Sequence, residues 1–478
     1  MKKIYLLTAL AGLMVSASSC DDFLTELPEN AYTIENSVTD YKSAVNSVNG
    51  IYGVYTKSTN LGGQLYASLH CMAGLWDYNT VMVNMGYTQT NSSSVSSYWS
   101  DLYKVVNAAN LAIQGISALP DNAFPSADEK ARLLSEARCF RGYANLHLLW
   151  LFGRWFDKAD SPYGIIYRDQ IAELSNLMAD RVSVGESYDY IISDLEDAGN
   201  HLGDYASPRH LSSQFAKAML AKLYLVRGWD GDYTKALSLV NDVMAHPGAL
   251  AMEPDVTKLY EDAWDSNEVL FARYLGDGSN FAYSEFIYSY GLYYNSDFNE
   301  IVTEWLKSDE RYPYISGNAR APETWDDRRS DDILTKLYHR GRYEGMNDKY
   351  TSYNFRVAEL YLMKAELLAR TKPDDIAGAL AELNKMRQSY TNPVLAPVTG
   401  VNTHQELMDA IFKEYVVTLF MENETPWFAS LRFEHNGSPW IRTLKTGVNF
   451  SENQYCWPIP DDEIIAHLNP IAQNPGLE

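Results

Sequence analysis

The residues best suited to chemistry in this chain are aromatic side chains that carry a polar tip. The sequence contains 35 tyrosines and 11 tryptophans. A flat ring covers an apolar face of a ligand, while a hydroxyl, indole N–H, amide or guanidinium group hydrogen-bonds to its polar groups. The candidate ligand-binding residues are Trp76, Tyr78, Asn79, Tyr283, Tyr288, Tyr290, Tyr293, Arg320 and Trp325. Residues of these types suit a ligand that has both apolar faces and polar groups.

The alternative role of each of these aromatic residues is packing in the core, because large aromatic side chains are highly buried on average. Trp76 and Trp325 lie in polar, turn-rich surroundings and are the stronger candidates. We expect Trp76→Ala or Trp325→Ala to abolish ligand binding without unfolding the protein. Trp99 lies in a helical pattern and is expected in the core.

Motifs of catalysis and of cofactor binding are absent from the sequence. No GxSxG, HExxH, Gly-rich phosphate loop or EF-hand pattern occurs, so we predict no cofactor and no metal site. Binding of Ca²⁺ by acidic loops is an alternative for which no spacing argues. The nine histidines are dispersed, and His147 on an apolar helix face is expected in the core. Glycoside hydrolysis needs only two carboxylates, and the chain has 62 acidic residues. The sequence therefore predicts a binding protein, with a glycoside hydrolase as an alternative.

The N-terminus has the pattern of a bacterial lipoprotein signal. Lys2 and Lys3 precede the apolar stretch 4–15, and small residues then lead into Cys20. The apolar stretch is too short to span a bilayer. Removal of residues 1–19 would leave Cys20 as an acylated N-terminus, with about 0.8 kcal/mol of membrane affinity for each buried methylene. The alternative is an ordinary signal peptide with an incidental cysteine.

Charge and cysteine content restrict the partners. The chain has 39 basic and 62 acidic residues, and loss of residues 1–19, which hold two lysines and no acid, takes the net charge from −23 to −25. Such a surface repels phosphate backbones and anionic headgroups, which excludes nucleic acid as a partner. Cys71, Cys139 and Cys456 form no CxxC motif, and we expect buried free thiols, with a functional disulfide as the alternative.

Helices must position these residues. The S/T-x-x-E pattern at Ser126, Ser183 and Thr403 predicts three helix starts. Apolar residues at helical spacing follow Ser126 as far as Leu151 and follow Thr403 as far as Leu419. Further helices are predicted at about 97–119, 186–202, 211–228, 232–246, 355–370 and 374–389.

Two segments have the pattern of tetratricopeptide-like helix pairs. Residues 215–247 and 355–393 each place small residues on two successive helices and end with a proline. Small residues allow the paired helices to approach closely, and proline ends the second helix. A generic helical hairpin explains this spacing equally well.

The mature chain, residues 20–478, is predicted to form one domain that contains an N-terminal leader and a central insertion. Residues 20–50 are predicted to join the lipid to the body. Residues 248–353 lose helical periodicity, and alternation of Phe286, Tyr288 and Tyr290 indicates short strands in an irregular insertion.

Five segments in this order resemble the SusD/RagB-like outer-membrane lipoproteins of Bacteroidetes. They are the leader CDDFLTELP at 20–28, W-x3-Y-x6-N at 99–110, E-A-x-x-x-R at 136–141, R-x-A-E-x-Y-L at 356–362, and P-I-P…N-P-G at 458–476. The chain departs from the family at 421–429, where a Gly, an Arg and an Asp are absent, and at Thr25. Local packing at 421–429 is therefore expected to differ.

The resemblance implies a mainly α fold in which four tetratricopeptide-like helix pairs support an irregular, loop-rich ligand-binding half. It implies a lipid-anchored protein on the outer face of the outer membrane, which captures glycans for a SusC-like TonB-dependent transporter. The acidic pair after Cys20 is compatible with the surface-export signal of such lipoproteins. The alternatives are a peptide-binding member of the same scaffold and a structural partner of the transporter without a ligand of its own.

Overall fold

The protein is mainly helical, as the sequence predicts. A computed structural model describes residues 37–58, 60–77, 79–173, 176, 178–274, 293–294, 298–315, 332–333, 352–466 and 471–478. Within these ranges, no helix is both long enough and apolar enough to cross a bilayer. Cys20 lies outside the described residues.

The helices are α1 Tyr41–Lys57, α2 Leu65–Ala73, α3 Thr80–Val83, α4 Ser96–Ala118, α5 Ala127–Phe152, α6 Val184–His201, α7 Ser213–Arg227, α8 Asp232–Ala245, α9 Val256–Asp262, α10 Glu300–Lys307, α11 Tyr312–Ile315, α12 Val357–Thr371, α13 Ile376–Ser389, α14 His404–Thr418, α15 Thr425–Arg432, α16 Trp440–Leu444 and α17 Asp461–Ala466. The strands are β1 Val269–Ala272, β2 Tyr293–Tyr294, β3 Asp332–Ile333, β4 Tyr353–Arg356, β5 Glu434–His435 and β6 Ser438–Pro439. All eight helices predicted from the sequence are present, with ends within about two residues of those expected.

Two of the three predicted capping boxes form completely. Ser183 and Thr403 each accept a hydrogen bond from the backbone N–H three residues later, and the Glu at that position bonds back to the cap. Ser126 accepts from the Glu129 backbone N–H, but its box is not reciprocal. The Glu129 carboxylate instead accepts hydrogen bonds from the Tyr41 hydroxyl and the Arg132 guanidinium.

Successive long helices pack against one another in a continuous stack. Each helix from α4 to α8 contacts the next, α8 contacts α12, and α12 contacts both α13 and α14. The two predicted helix pairs are α7 with α8 and α12 with α13, which confirms the expected pairing. Close approach is possible because small side chains lie at the contacts, all fully buried: Ala221, Ala236, Ala365 and Ala379.

Helices lie inside both the expected leader and the expected central insertion. Helix α1 starts at Tyr41, inside the expected leader, because Ala44, Val48 and Ile51 form an apolar face that is buried in the core. In the described part of 248–353, short helices accompany the strands. Strand β1 pairs antiparallel with β4, and β2 pairs antiparallel with β3. The expected strand at 286–290 lies outside the described residues.

Candidate functional site

The predicted ligand-binding residues divide into two groups. Trp76 and Asn79 have described side chains, and Tyr293 is described only as backbone in β2. The other six lie outside the described residues: Tyr78, Tyr283, Tyr288, Tyr290, Arg320 and Trp325. The geometry of the site therefore comes from the segments that lead into and out of those positions.

Trp76 is buried rather than exposed, which corrects the expectation of polar surroundings. Its side chain is 1% exposed and meets the Phe420 ring edge-to-face at a centroid distance of 6.3 Å. Every residue of the preceding helix α2 is also buried, so Trp76 continues a buried segment that packs against the distant Phe420. An indole held in this way offers no face to a sugar ring.

Asn79 is the N-cap of α3. Its Oδ1 accepts hydrogen bonds from the backbone N–H groups of Val81 at 3.0 Å and Met82 at 3.3 Å. The amide oxygen is therefore used to start the helix that follows the loop.

A buried lysine fixes the two ends of the segment that contains Trp76. The Lys445 ammonium donates hydrogen bonds to the carbonyls of Cys71, at 3.0 Å, and Val83. Burial lowers the pKa of Lys445 to about 8. Gly74 caps α2 with a φ of 76°, and a Cβ there would lie 2.7 Å from the Lys445 Cγ. Only glycine fits both the left-handed backbone and the close lysine.

Asn299 joins the central insertion to this same segment. Its Nδ2 donates hydrogen bonds to the carbonyl of Gly74 at 2.9 Å and to the carbonyl of Leu444 at 3.0 Å. Its Oδ1 accepts from the Val302 backbone N–H and caps α10. The chain that follows the Tyr-rich stretch is therefore held directly against the segment 74–79.

Two more residues that border undescribed parts of the insertion, Arg273 and Asn354, hydrogen-bond to helices α1 and α2. Arg273 donates to the carbonyl of Thr56 at 2.7 Å, at the end of α1. Asn354 accepts hydrogen bonds from the hydroxyls of Tyr55, at 3.1 Å, and Tyr66, at 2.7 Å. We call the segment 74–79 together with these three anchors, Arg273, Asn299 and Asn354, the candidate ligand face.

A cluster of fully buried charges lies in the helical core, and sequence reasoning missed it. Lys222 lies 2.8 Å from a Glu359 oxygen and 2.9 Å from a Glu424 oxygen. Glu359 also accepts a hydrogen bond from Asn423 at 2.8 Å. His147, buried as expected, has its Nε2 3.9 Å from Glu424. In the sequence, such a cluster is indicated by charged residues that have apolar neighbours in a predicted helix.

Arg356 centres a second buried ion cluster. Its guanidinium donates to Glu422 at 2.6 Å and to Glu268 at 2.5 Å, and also to the Thr418 carbonyl at 2.7 Å. Arg356 and Glu359 belong to the R-x-A-E-x-Y-L pattern, so that pattern has a structural role here. The segment 421–424 departs from the family pattern but supplies Glu422, Asn423 and Glu424 to the two clusters.

The described residues offer no arrangement for metal binding, since none of them form a group of three or more His, Cys, Asp or Glu side chains that could hold an ion. The carboxylates described above are paired with cations inside the protein. The described part of the candidate ligand face is held in place by hydrogen bonds between residues that are distant in the sequence.

Comparisons with known proteins identify the family. A family model described as "Starch-binding associating with outer membrane" matches residues 22–225, and a model described as "SusD family" matches residues 282–476. The SusD-like protein P2 of Formosa agariphila is 25% identical over 97% of this chain and 98% of its own length.

Solved structures have the same fold. A SusD superfamily protein from Bacteroides thetaiotaomicron is 21% identical with a TM-score of 0.69, covering 91% of this chain and 100% of its own. A laminarin-binding SusD-like protein is 19% identical with a TM-score of 0.68, covering 92% of this chain and 100% of its own. Family models in both halves, a relative along nearly the whole chain and the shared helical fold show that this chain belongs to the SusD/RagB family.

Proposed function

We propose that this protein captures glycans at the outer face of the outer membrane and delivers them to a SusC-like TonB-dependent transporter. The match of two SusD-family models to the two halves of the chain is the observation that carries this proposal. A similar structure is that of a laminarin-binding protein, which makes a polysaccharide the first ligand class to test. Acylation of Cys20 would anchor the protein, and no other membrane contact is needed.

The candidate ligand face supports capture rather than catalysis. Asn299 holds the start of α10 against Gly74, and Arg273 and Asn354 hydrogen-bond to residues of helices α1 and α2. Anchor residues that are fixed before a ligand arrives lower the entropy cost of binding. We propose that the glycan rests on Tyr78, Tyr283, Tyr288, Tyr290, Tyr293, Arg320 and Trp325, with Asn79 at the edge.

Binding of the delipidated chain, residues 21–478, to a glycan and peptide panel tests this function. The panel holds host, plant and microbial glycans with mixed peptides, and each sample is examined for cleavage products. We expect retention of one glycan class without products. Product release would replace the proposal by a glycoside hydrolase.

Peptide capture is the second candidate, because the net charge of −23 would steer basic peptides toward the surface. Its affinity would fall steeply with added salt, whereas stacking of a neutral sugar on aromatic rings would change little. Selective, salt-sensitive retention of peptides would therefore move the function to peptide uptake.

A further inference from the structure

We propose that a groove beside the N-terminal half of α4 is a second binding site for a neutral oligosaccharide. This inference rests on the proposed glycan-binding function. The groove has a volume of about 690 Å³ and is formed by residues of α4, by residues 168–172 with Met178, and by residues 460–466. Ligand pockets commonly enclose roughly 300–1,000 Å³. None of its lining residues belongs to the candidate ligand face.

One wall of the groove is a polar stripe on α4. Ser97, Ser100, Lys104 and Asn107 all line the groove and follow one another at intervals of three or four residues. They therefore share one helix face and extend about 15 Å along it, at roughly 1.5 Å per residue. Among the described residues, nothing hydrogen-bonds to the hydroxyls of Ser97 and Ser100. These hydroxyls are free to bind a chain of hydroxyl groups.

The floor of the groove is aromatic. The Trp99 and Tyr103 rings lie 4.8 Å apart, at an interplanar angle of 59°. The Trp99 indole donates to Glu463 at 3.2 Å, and the Tyr103 hydroxyl donates to the Ile166 carbonyl at 2.8 Å. Trp99 is only 6% exposed, as its expected place in the core requires, so Tyr103 offers the larger accessible ring. A fixed ring beside polar groups suits the C–H face of a sugar.

The opposite wall is held rigidly against α4. Asn110 donates to the backbone carbonyls of Arg168 at 2.9 Å and Gln170 at 3.0 Å. Asn107 accepts from the Ala172 backbone N–H at 2.8 Å, through its Oδ1. Arg141 in turn donates to the Asn110 side chain. The groove is thus preformed, and a ligand would not have to order it.

The charges of the lining favour a neutral ligand. The groove contains two cationic residues, Lys104 and Arg168, and two carboxylates, Asp462 and Glu463. Lys104 is already paired with Asp101 at 2.8 Å. The two signs of charge balance in the lining, and an anionic ligand at Lys104 would have to compete with Asp101, whereas hydroxyl groups need only hydrogen bonds.

The lining of the groove includes one exposed apolar side chain. Met178 is 47% exposed and lines the groove. Ring C–H groups of a sugar provide the matching apolar contact.

Chemical protection of Lys104 tests the site. The delipidated chain is acetylated with and without tetrasaccharides from β-1,3-, α-1,4- and β-1,4-glucans and from β-mannan, and lysine modification is read by peptide mass spectrometry. Lys104 has a 63% exposed side chain, and Lys385 on α13, 58% exposed, is the internal reference. We expect at least one tetrasaccharide to lower Lys104 acetylation several-fold and to leave Lys385 unchanged.

A matched pair of variants tests whether a ligand in the groove causes the protection of Lys104 from acetylation. Ser100 and Ser117 are both exposed on α4, but only Ser100 lines the groove. Ser100→Arg should abolish protection of Lys104, and Ser117→Arg should retain it. Glycan retention without protection of Lys104, or equal protection in both variants, would overturn the second site and leave the proposed function intact. Failure to retain any glycan would overturn both.

Discussion

At the scale of single residues, the positions most costly to change are the charges in the core. Lys222 is 2% exposed and faces two carboxylates, Glu359 and Glu424, which are equally buried. Burial lowers the pKa of Lys222, but the attraction of the two carboxylates outweighs it and raises that pKa overall. Removing one member of such a cluster leaves an uncompensated charge in a medium of low polarity.

We predict that Lys222→Met lowers the free energy of unfolding by about 3–5 kcal/mol, because two buried carboxylates lose their cation. The control is Lys217→Met on the same helix, where the lysine is 29% exposed and paired with Asp242, and its loss costs at most about 1 kcal/mol. Urea unfolding of both variants gives the two values. Equal losses would show that the buried cluster does not stabilise the fold.

The acid response of Glu424 follows from the same cluster. Burial raises its pKa, but the Lys222 charge and His147 lower it more, to about 2, from an ordinary value of 4.5. Between these values the unfolded chain binds more protons than the folded one. The stability from Glu424 is therefore present above pH 4.5 and is lost as pH falls through about 2.

We therefore predict that Glu424→Gln lowers the free energy of unfolding near neutral pH. The difference in free energy of unfolding between this variant and the unmodified protein should become smaller below pH 4.5. Unfolding midpoints of both proteins, measured across this range, give the difference. A difference that stays constant with pH would contradict the assigned pKa.

At the scale of elements, the chain forms two kinds of structure with different origins. The long helices can be predicted from the sequence, since apolar periodicity, capping residues and prolines are all local signals. The candidate ligand face cannot be predicted in this way. Lys445 contacts the Cys71 carbonyl across 374 residues, and Asn299 contacts Gly74 across 225, and no local pattern encodes either pairing.

The same distinction explains the correction at Trp76. Its sequence neighbours are polar and include glycine, which is typical of a loop on the surface. The structure buries the indole because Phe420, far along the chain, packs against it. The missed ion clusters have the same explanation, since their partners come from segments that are far apart in the sequence.

Lys445→Met should loosen the segment 71–83 without unfolding the protein. Two buried carbonyls lose their donor, and each unmade hydrogen bond costs about 1–3 kcal/mol. Hydrogen exchange should accelerate in peptides from 71–83 and remain unchanged in α12 and α13. The exposed Lys307→Met is the control and should change neither. Unchanged exchange in 71–83 would show that Lys445 does not fix this segment.

At the scale of the whole molecule, the core contains thiols but no crosslink among the described cysteines. Cys71, Cys139 and Cys456 are free and buried, as the sequence predicts. Burial raises the pKa of Cys139, and it raises the pKa of Cys456 to about 12. Buried, protonated thiols are poor nucleophiles.

We predict that iodoacetamide modifies none of these three cysteines in the native chain 21–478 and all three after unfolding. A reducing agent should leave the unfolding midpoint unchanged. A midpoint that drops on reduction, or fewer than three modified cysteines after unfolding without reduction, would indicate a disulfide.

The central claim is that aromatic side chains of the central insertion bind the glycan. Calorimetric titration of the retained glycan into the unmodified chain, Trp325→Ala and Trp229→Ala tests it most directly. Trp229, in the turn between α7 and α8, packs on Tyr188 and serves as the remote control. We predict that Trp325→Ala weakens binding by about tenfold or more, since truncating a central aromatic contact costs about 2 kcal/mol, and that Trp229→Ala does not. Equal affinity in all three proteins would contradict the claim.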